Sequence, residues 1–229
     1  ENTYRAANIA FIDEWTKYSE TIGIDLHEII DAIRVRPTHS NIRFPGIGVG
    51  GYCLTKDPAF VPAAARQIFA KPDLEFPFSL LSLKINQAMP LHAVNRLKIL
   101  LGNKFQGKNV MLLGVSYRQD IGDTRHSPVE KFARELIQAG SQVQAYDPFV
   151  SYWPEMDMSL PTVMPPPSSF DAVVFTTPHQ QLNELNLVSW LDGCRPVILD
   201  TVNVVSKSQR ERCRSIGIQI ESIGRGEGL

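Results

Sequence analysis

Ala7, Phe11, Trp15, Tyr18 and Ile22 recur three and four residues apart, which predicts an amphipathic helix that Gly23 ends. Asp25 is placed to cap a short second helix running to Ile33. Residues 34–52 hold two prolines and four glycines and predict an ordered loop. A third helix is expected over 57–69. Pro72 and Pro77 then interrupt the chain before a long helical stretch from 79 to 101, which Pro90 should kink or split.

Beyond residues 102–107 the period changes. Residues 110–115 form a continuous apolar run, as a buried parallel strand does. Residues 128–139 return to helical spacing, with Pro128 in the first turn and Gly140 as the cap. Further strands are expected at 143–146, 172–176 and 197–200, with an edge strand at 218–223. The proline-rich residues 151–169 predict a surface connection. The fold class is therefore α/β: an all-helical domain over 1–103, then a doubly wound parallel sheet over 104–229. Ligands of such sheets bind beyond the C-terminal ends of the strands. Tyr117, Arg118, Asp123, Arg125, Asp147, Thr177, His179 and Asn203 all fall there.

Composition narrows the partners. The 229 residues carry 24 acidic and 23 Lys/Arg side chains, so no sequence-wide basic field argues for nucleic acid. No apolar run is long enough to span a membrane, and no signal peptide is expected. Cys53, Cys194 and Cys213 are odd in number and widely spaced. They suggest neither a disulfide framework nor a metal site, and favour a reducing, cytoplasmic location. Trp15 and Trp190 read as core. His27 and His92 read as solvated, and Cys213, among Arg210, Arg212 and Arg214, as part of an exposed basic helix face.

The candidate chemistry lies in Gly46-Ile47-Gly48-Val49-Gly50-Gly51-Tyr52-Cys53-Leu54-Thr55-Lys56-Asp57-Pro58. The glycines bare a loop so that its backbone can approach another group closely. A helix starting near Cys53 would put Lys56 and Asp57 one turn on, beside the sulfur. A thiol near a cation, a carboxylate and a helix N-terminus is a suitable nucleophile. The same cysteine reads equally well as a small buried hydrophobe. Asp57 alone reads as a helix N-terminal carboxylate and Asn2 as a helix cap.

Several segments in register carry a resemblance. Besides the cysteine loop they are Asn2-Thr3-Tyr4-Arg5 with Asn8-Ile9-Ala10, Asn86-Gln87-Ala88-Met89-Pro90, Gly114-Val115-Ser116-Tyr117-Arg118-Gln119-Asp120, Asp123-Thr124-Arg125-His126-Ser127-Pro128 and Tyr146-Asp147-Pro148. Together they resemble the UDP-glucose/GDP-mannose dehydrogenase family over nearly the whole chain. The resemblance implies a helical dimerisation domain followed by a Rossmann-like domain. It implies NAD-dependent oxidation of the C6 alcohol of a nucleotide sugar to a carboxylate. Cys53 would be the nucleophile. Asp57 would handle the hydrolytic water, and Asn2 would hold that water or an oxyanion, together with a lysine four residues earlier. Gly46, Gly48, Gly50 and Gly51 would approach the diphosphate. Tyr117 and Arg118 would pack on the substrate, and Lys56 and Arg125 would face the cofactor.

Taken without the resemblance, Tyr117 is a half-buried core aromatic, and Arg118 and Arg125 are surface partners of Asp120 or Asp123. The glycines at 46, 48, 50 and 51 do not make a Gly-x-Gly-x-x-Gly dinucleotide fingerprint, because they do not lie between a strand and a helix of a βαβ unit, so the chain is expected to be a fragment that lacks the NAD-binding domain and shows no activity alone. Three departures from the family pattern stand out: His126 for glutamate, Val202 for arginine, and Asp13-Glu14 for Asn-Glu. Lys56-Asp57 favours a UDP-hexose. The glycine loop resembles the UDP-N-acetylhexosamine branch, a close second, with GDP-mannose third. A non-catalytic, dimerising nucleotide-sugar-binding module is the alternative to an enzyme.

Overall fold

Residues 1–226 are described by a computed structural model. The helical half holds α1 (Asn2–Thr21), α2 (Leu26–Arg34), α3 (Phe60–Gln67) and α4 (Pro77–Leu100). Asp25 caps α2 as expected, its carboxylate accepting from the His27 and Glu28 amides. α1 lies against α4, with the Asn86 amide donating to the Ala6 carbonyl at 2.9 Å, and the buried positions of α1 include Ala6, Ala10, Thr16 and Ser19. Asp13 is buried on this face and paired with Lys17 at 2.7 Å.

The predicted stripe on α1 exists but faces outward. Phe11, Trp15, Tyr18 and Ile22 are 52%, 45%, 56% and 38% exposed, which corrects the assignment of Trp15 to the core. Small side chains let two helix backbones approach, and α1 uses its small residues for that contact. The two histidines are corrected in the opposite sense. His27 is buried, with its ring stacked on Phe44, and His92 is hydrogen-bonded to Glu20 at 2.7 Å.

Pro90 does not split α4, which continues to Leu100. The Lys131 ammonium donates to the Gln87 carbonyl at 2.7 Å, in the turn ahead of the proline. The first half of α4 serves the helical layer. Ala93, Leu97 and Leu100, in the second half, belong to the core beneath the sheet.

The second half alternates strands and helices. It runs β1 (Asn109–Leu113), α5 (Pro128–Gln138), β2 (Gln142–Tyr146), β3 (Tyr152–Trp153), β4 (Met158–Ser159), β5 (Ala172–Phe175), α6 (Gln180–Asn183), α7 (Leu187–Leu191), β6 (Val197–Asp200), α8 (Lys207–Ser215) and β7 (Ile220–Ser222). Five strands pair in parallel in the order β2-β1-β5-β6-β7. Alternate side chains serve opposite faces. Val110, Leu112, Val174 and Leu199 meet α4 and α5, while Met111, Leu113, Val173, Phe175 and Ile198 meet α6, α7 and α8. Cys213 faces that second core and is fully buried, so it is no part of an exposed basic face, and burial pushes its thiol pKa up. Among the described residues no helix is long and apolar enough to cross a membrane.

Residues 151–169 are more than a surface connection. β3 and β4 form a small antiparallel hairpin around a 3₁₀ turn at Pro154–Met156. Trp153 from this hairpin is fully buried in the core shared with α5. Trp153→Ala should therefore cost about 3–5 kcal/mol. Val163→Ala, at a residue 74% exposed in the same segment, should stay within about 0.5 kcal/mol. Urea unfolding of both variants checks this. Equal midpoints would return the segment to the surface.

Candidate functional site

The parallel order reverses between β1 and β5, so the crevice at their C-terminal ends is the switch point where open sheets bind ligands. The loop from Gly114 to Ser127 leaves β1 at this crevice and carries Tyr117, Arg118 and Arg125. Its shape is fixed from below. Asp147, at the end of β2, accepts from the Val115 amide at 2.8 Å, and from the Ser116 amide and hydroxyl at 3.0 Å each. His179 Nε2 lies 3.0 Å from the same carboxylate oxygen. The Asp120 amide donates to His179 Nδ1 at 2.9 Å, so the proton of the neutral ring sits on Nε2 and points at Asp147. Burial would lift the Asp147 carboxyl pKa. Hydrogen bonds from His179 and from the Val115 and Phe149 amides outweigh it and hold the group below the ordinary carboxylate range. Asp147, Thr177 and His179 thus sit under the ligand-facing surface, buried, and shape the loop above them.

That loop meets the glycine run directly. A Cβ on Gly50 would lie 2.6 Å from the Tyr117 Cβ and 3.0 Å from the His126 carbonyl oxygen. One on Gly51, whose φ is +79°, would lie 2.9 Å from the Tyr117 ring. Gly48 faces Pro128 with the same lack of room, and Gly46 lies near the Thr201 carbonyl. The bareness that reads as access for a ligand is, within this chain, access for a neighbouring loop.

Beyond the glycines the chain makes one tight turn rather than a helix. The Lys56 and Asp57 amides both donate to the Cys53 carbonyl, at 3.2 and 2.9 Å, and a 3₁₀ turn follows at Asp57–Ala59. Cys53 is exposed at the top of this turn. Asn2 does not cap its own helix; its side-chain amide donates to Asp57 at 2.6 Å. Two residues 55 apart in sequence are thereby brought together beside the cysteine turn. The Lys56 ammonium lies 4.0 Å from the Tyr52 ring centroid and 4.5 Å from that of Phe60, with Asp57 at 3.6 Å. Sequence reasoning missed this clamp. No helical spacing rule encodes it, because Tyr52, Lys56 and Phe60 are brought together by turns and not by an α-helix.

Gly51, Tyr52, Tyr117, Asp123, Arg125 and His126 line a cleft of about 410 Å³ beside the turn. Tyr117 is half-buried there, and its amide donates to the Asp123 carbonyl at 2.9 Å. Arg118 is exposed. Arg125 grips Asp123 through two hydrogen bonds, at 3.0 and 2.7 Å, and its own side chain is 81% exposed. Asp123 is held below the usual carboxylate range chiefly by that guanidinium. His126 adopts φ +55°, and its ring lies 5.8 Å from that of Tyr52. Val202 is partly buried and packs on both cores.

Comparison with known proteins settles the ancestry. Residues 1–87 match the family model described as the UDP-glucose/GDP-mannose dehydrogenase family, central domain. Residues 111–207 match the UDP binding domain of the same family. The chain belongs to the UDP-glucose/GDP-mannose dehydrogenase family. A UDP-N-acetyl-D-mannosamine dehydrogenase of Methanocaldococcus jannaschii is 32% identical over 99% of this chain and 50% of its own length. The structure of NDP-N-acetyl-D-galactosaminuronic acid dehydrogenase from Methanosarcina mazei matches with a TM-score of 0.85 at 27% identity, over 99% of this chain and 50% of that one. That of UDP-D-ManNAc dehydrogenase from Pyrococcus horikoshii matches at 0.80 and 28%, over 99% and 50%. The chain spans about half the length of the curated relatives it matches.

Asp147 carries a testable pH signature. Its carboxyl pKa is lowered by folding, so its stabilisation is present above the unfolded value of about 3.9. It is lost as pH falls through the folded value. Asp147→Asn should cost about 2 kcal/mol or more at pH 7, and the deficit should narrow below about pH 4. Chemical denaturation of both proteins across that range measures it. A deficit independent of pH would remove the carboxylate charge from the account.

Proposed function

We propose that the protein is an NAD-dependent nucleotide-sugar 6-dehydrogenase that oxidises the C6 alcohol of a UDP-sugar to the uronic acid, with Cys53 as its nucleophile. The observation that carries this reading is the hydrogen bond from Asn2 to Asp57, which joins the start of α1 to the turn bearing an exposed thiol. A purely structural cysteine loop needs neither the exposure nor the pair.

The roles follow from the chemistry of the groups. The Cys53 sulfur adds to the carbon of the C6 aldehyde, and the carbonyl oxygen takes up a proton to give a thiohemiacetal. Removal of a hydride and a proton leaves the thioester. Water then adds to the thioester carbon, the carbon–sulfur bond breaks, and the acid and the thiol are released. Asp57 would accept the proton of that water, and the Asn2 amide, hydrogen-bonded to it, would hold the carboxylate. The covalent link explains how the aldehyde is kept from escaping between the two oxidations. The hydride acceptor for each of the two oxidations would be supplied by a separate molecule of NAD. Of the residues present, Arg125 suits a dinucleotide phosphate, since its guanidinium is largely exposed. Lys56 does not suit one, because its ammonium is held between two rings and beside Asp57, where it offsets the carboxylate charge.

Tyr117 and Arg118 stand at the switch point and are our choice for substrate contacts, Arg118 facing the diphosphate. Val202 supplies no cation there. Relatives at 32% and 30% identity are UDP-N-acetyl-D-mannosamine dehydrogenases, whereas a UDP-glucose 6-dehydrogenase from Rickettsia bellii is 26% identical. We therefore place a UDP-N-acetylhexosamine ahead of UDP-glucose, reversing the order that Lys56-Asp57 suggested. In the full-length protein Cys53→Ser should abolish acid formation and leave UDP-sugar affinity within about threefold. Single-turnover assays and calorimetry separate the two. Undiminished acid formation would take Cys53 out of the mechanism, and wild-type protein that binds without turnover would favour the non-catalytic module.

A homodimer fits the outward stripe on α1. Phe11 and Trp15 are tilted against each other and Trp15 and Tyr18 meet edge to face, with neighbouring ring centroids 5.8 Å apart, on an open helix face. An isologous pairing of such faces would cover them. Light scattering at micromolar concentration should give the mass of two chains, and Trp15→Glu should give one. A folded wild-type monomer would end this proposal.

A further inference from the structure

After β7 the chain leaves the sheet and returns to the helical half. The Leu26 amide donates to the Gly224 carbonyl and the Gly226 amide to the Ile24 carbonyl, both at 2.9 Å, which forms an antiparallel bridge between Asp25 and Arg225. His27 Nε2 meets the Ile223 carbonyl at 3.0 Å, and the Gly224 amide donates to Glu20 at 2.7 Å. Asp25, while capping α2 with one oxygen, pairs through the other with Arg225, which also donates to Asn203 at 3.0 Å. Gly224, at φ +81°, has no room for a side chain: a Cβ would lie 2.4 Å from the Pro45 ring. Pro45 is buried and immediately precedes the glycine run that leads to Cys53.

We infer that Ile223–Gly226 is a strap whose residues Gly224 and Arg225 position the Cys53 loop, by pinning Pro45 and the turn before α2 to the C-terminal end of the sheet. It rests on the proposed role of Cys53 for its bearing on catalysis, but its geometry does not. Without the strap, the link from the sheet to the cysteine turn would be left to α4, to Ile47 in the core beneath the sheet, to Gly46 beside the Thr201 carbonyl and to the glycine contacts with Tyr117 and Pro128. A positioning group of this kind alters local order and the rate of the chemical step, and leaves ground-state binding alone.

The test uses the full-length protein with Arg225→Gln, which removes the ion pair without adding bulk, and Gly224→Ala, which adds the Cβ. Lys207→Ala, an exposed neighbour, is the control. Hydrogen exchange should rise by about tenfold or more over 24–27 and 45–52 in both strap variants, with the strands of the sheet unchanged. Alkylation of Cys53 should change by about threefold or more, and turnover should fall at constant KM. Arg225→Gln with exchange and alkylation equal to the control overturns the proposal, whatever Gly224→Ala does. If instead exchange and alkylation respond but Cys53→Ser keeps full activity, the strap stands and the catalytic reading falls.

Discussion

The approach of the glycine run to the loop after β1 is the constraint on which the site depends. With a Cβ at Gly50 only 2.6 Å from that of Tyr117, the two segments cannot both keep their course unless the position is bare. The contact is between backbones and stiff side chains, not between flexible tips that could yield. It places the cysteine turn, which belongs to the helical half, against Tyr117, which belongs to the sheet half. Each half supplies what the other lacks. The helices carry the thiol and the Asn2–Asp57 pair, and the sheet carries the exposed cations of a ligand crevice.

Both sides of that contact are held from behind. On the sheet side, Asp147 spends its acceptor capacity on the Val115, Ser116 and Phe149 amides and on His179, so the loop has little freedom despite being a connection. On the helical side, α4 is shared. It gives Asn86 to α1 and Leu97 to the sheet core, so one unbroken helix spans both layers. A buried charge that accepts several hydrogen bonds loses much if one partner goes, which is why such groups suit the fixing of a loop.

The sequence was most informative where a single physical rule dominated. Continuous apolar runs placed the central strands β1, β5 and β6, which are buried on both faces, and the alternation of strands with helices placed the edge strands β2 and β7. Asp25 and Pro128 were legible because caps and first-turn prolines are local. Burial across elements was not. Trp15 sits in a proper helical stripe yet faces outward, and Cys213, among arginines, and His27 face inward. Periodicity reports that a face is apolar, not which surface covers it. Trp153 escaped for a related reason: its proline-rich surroundings predict a turn correctly but say nothing about one side chain within it. Of the candidate site, the members were legible and their partners were not. Asn2 and Asp57 meet only because α1 and the cysteine turn pack side by side, a contact no local rule encodes.

The exposure of the site has an electrostatic consequence. Arg118 and Arg125 stand in solvent, and Cys53 is open to it. In water a unit charge pair at 4 Å is worth about 1 kcal/mol, and several times that where solvent is excluded. On the proposed function, Arg118 and Arg125 would attract phosphate groups but, as exposed cations, hold them weakly. Strength would come with covering, when a bound nucleotide sugar and whatever closes over it remove water from the cleft. Rigid backing then matters more than prior contact. If Cys53 is the nucleophile, as proposed, a turn held against Tyr117 and beside the Asn2–Asp57 pair would need little reorganisation when the water leaves.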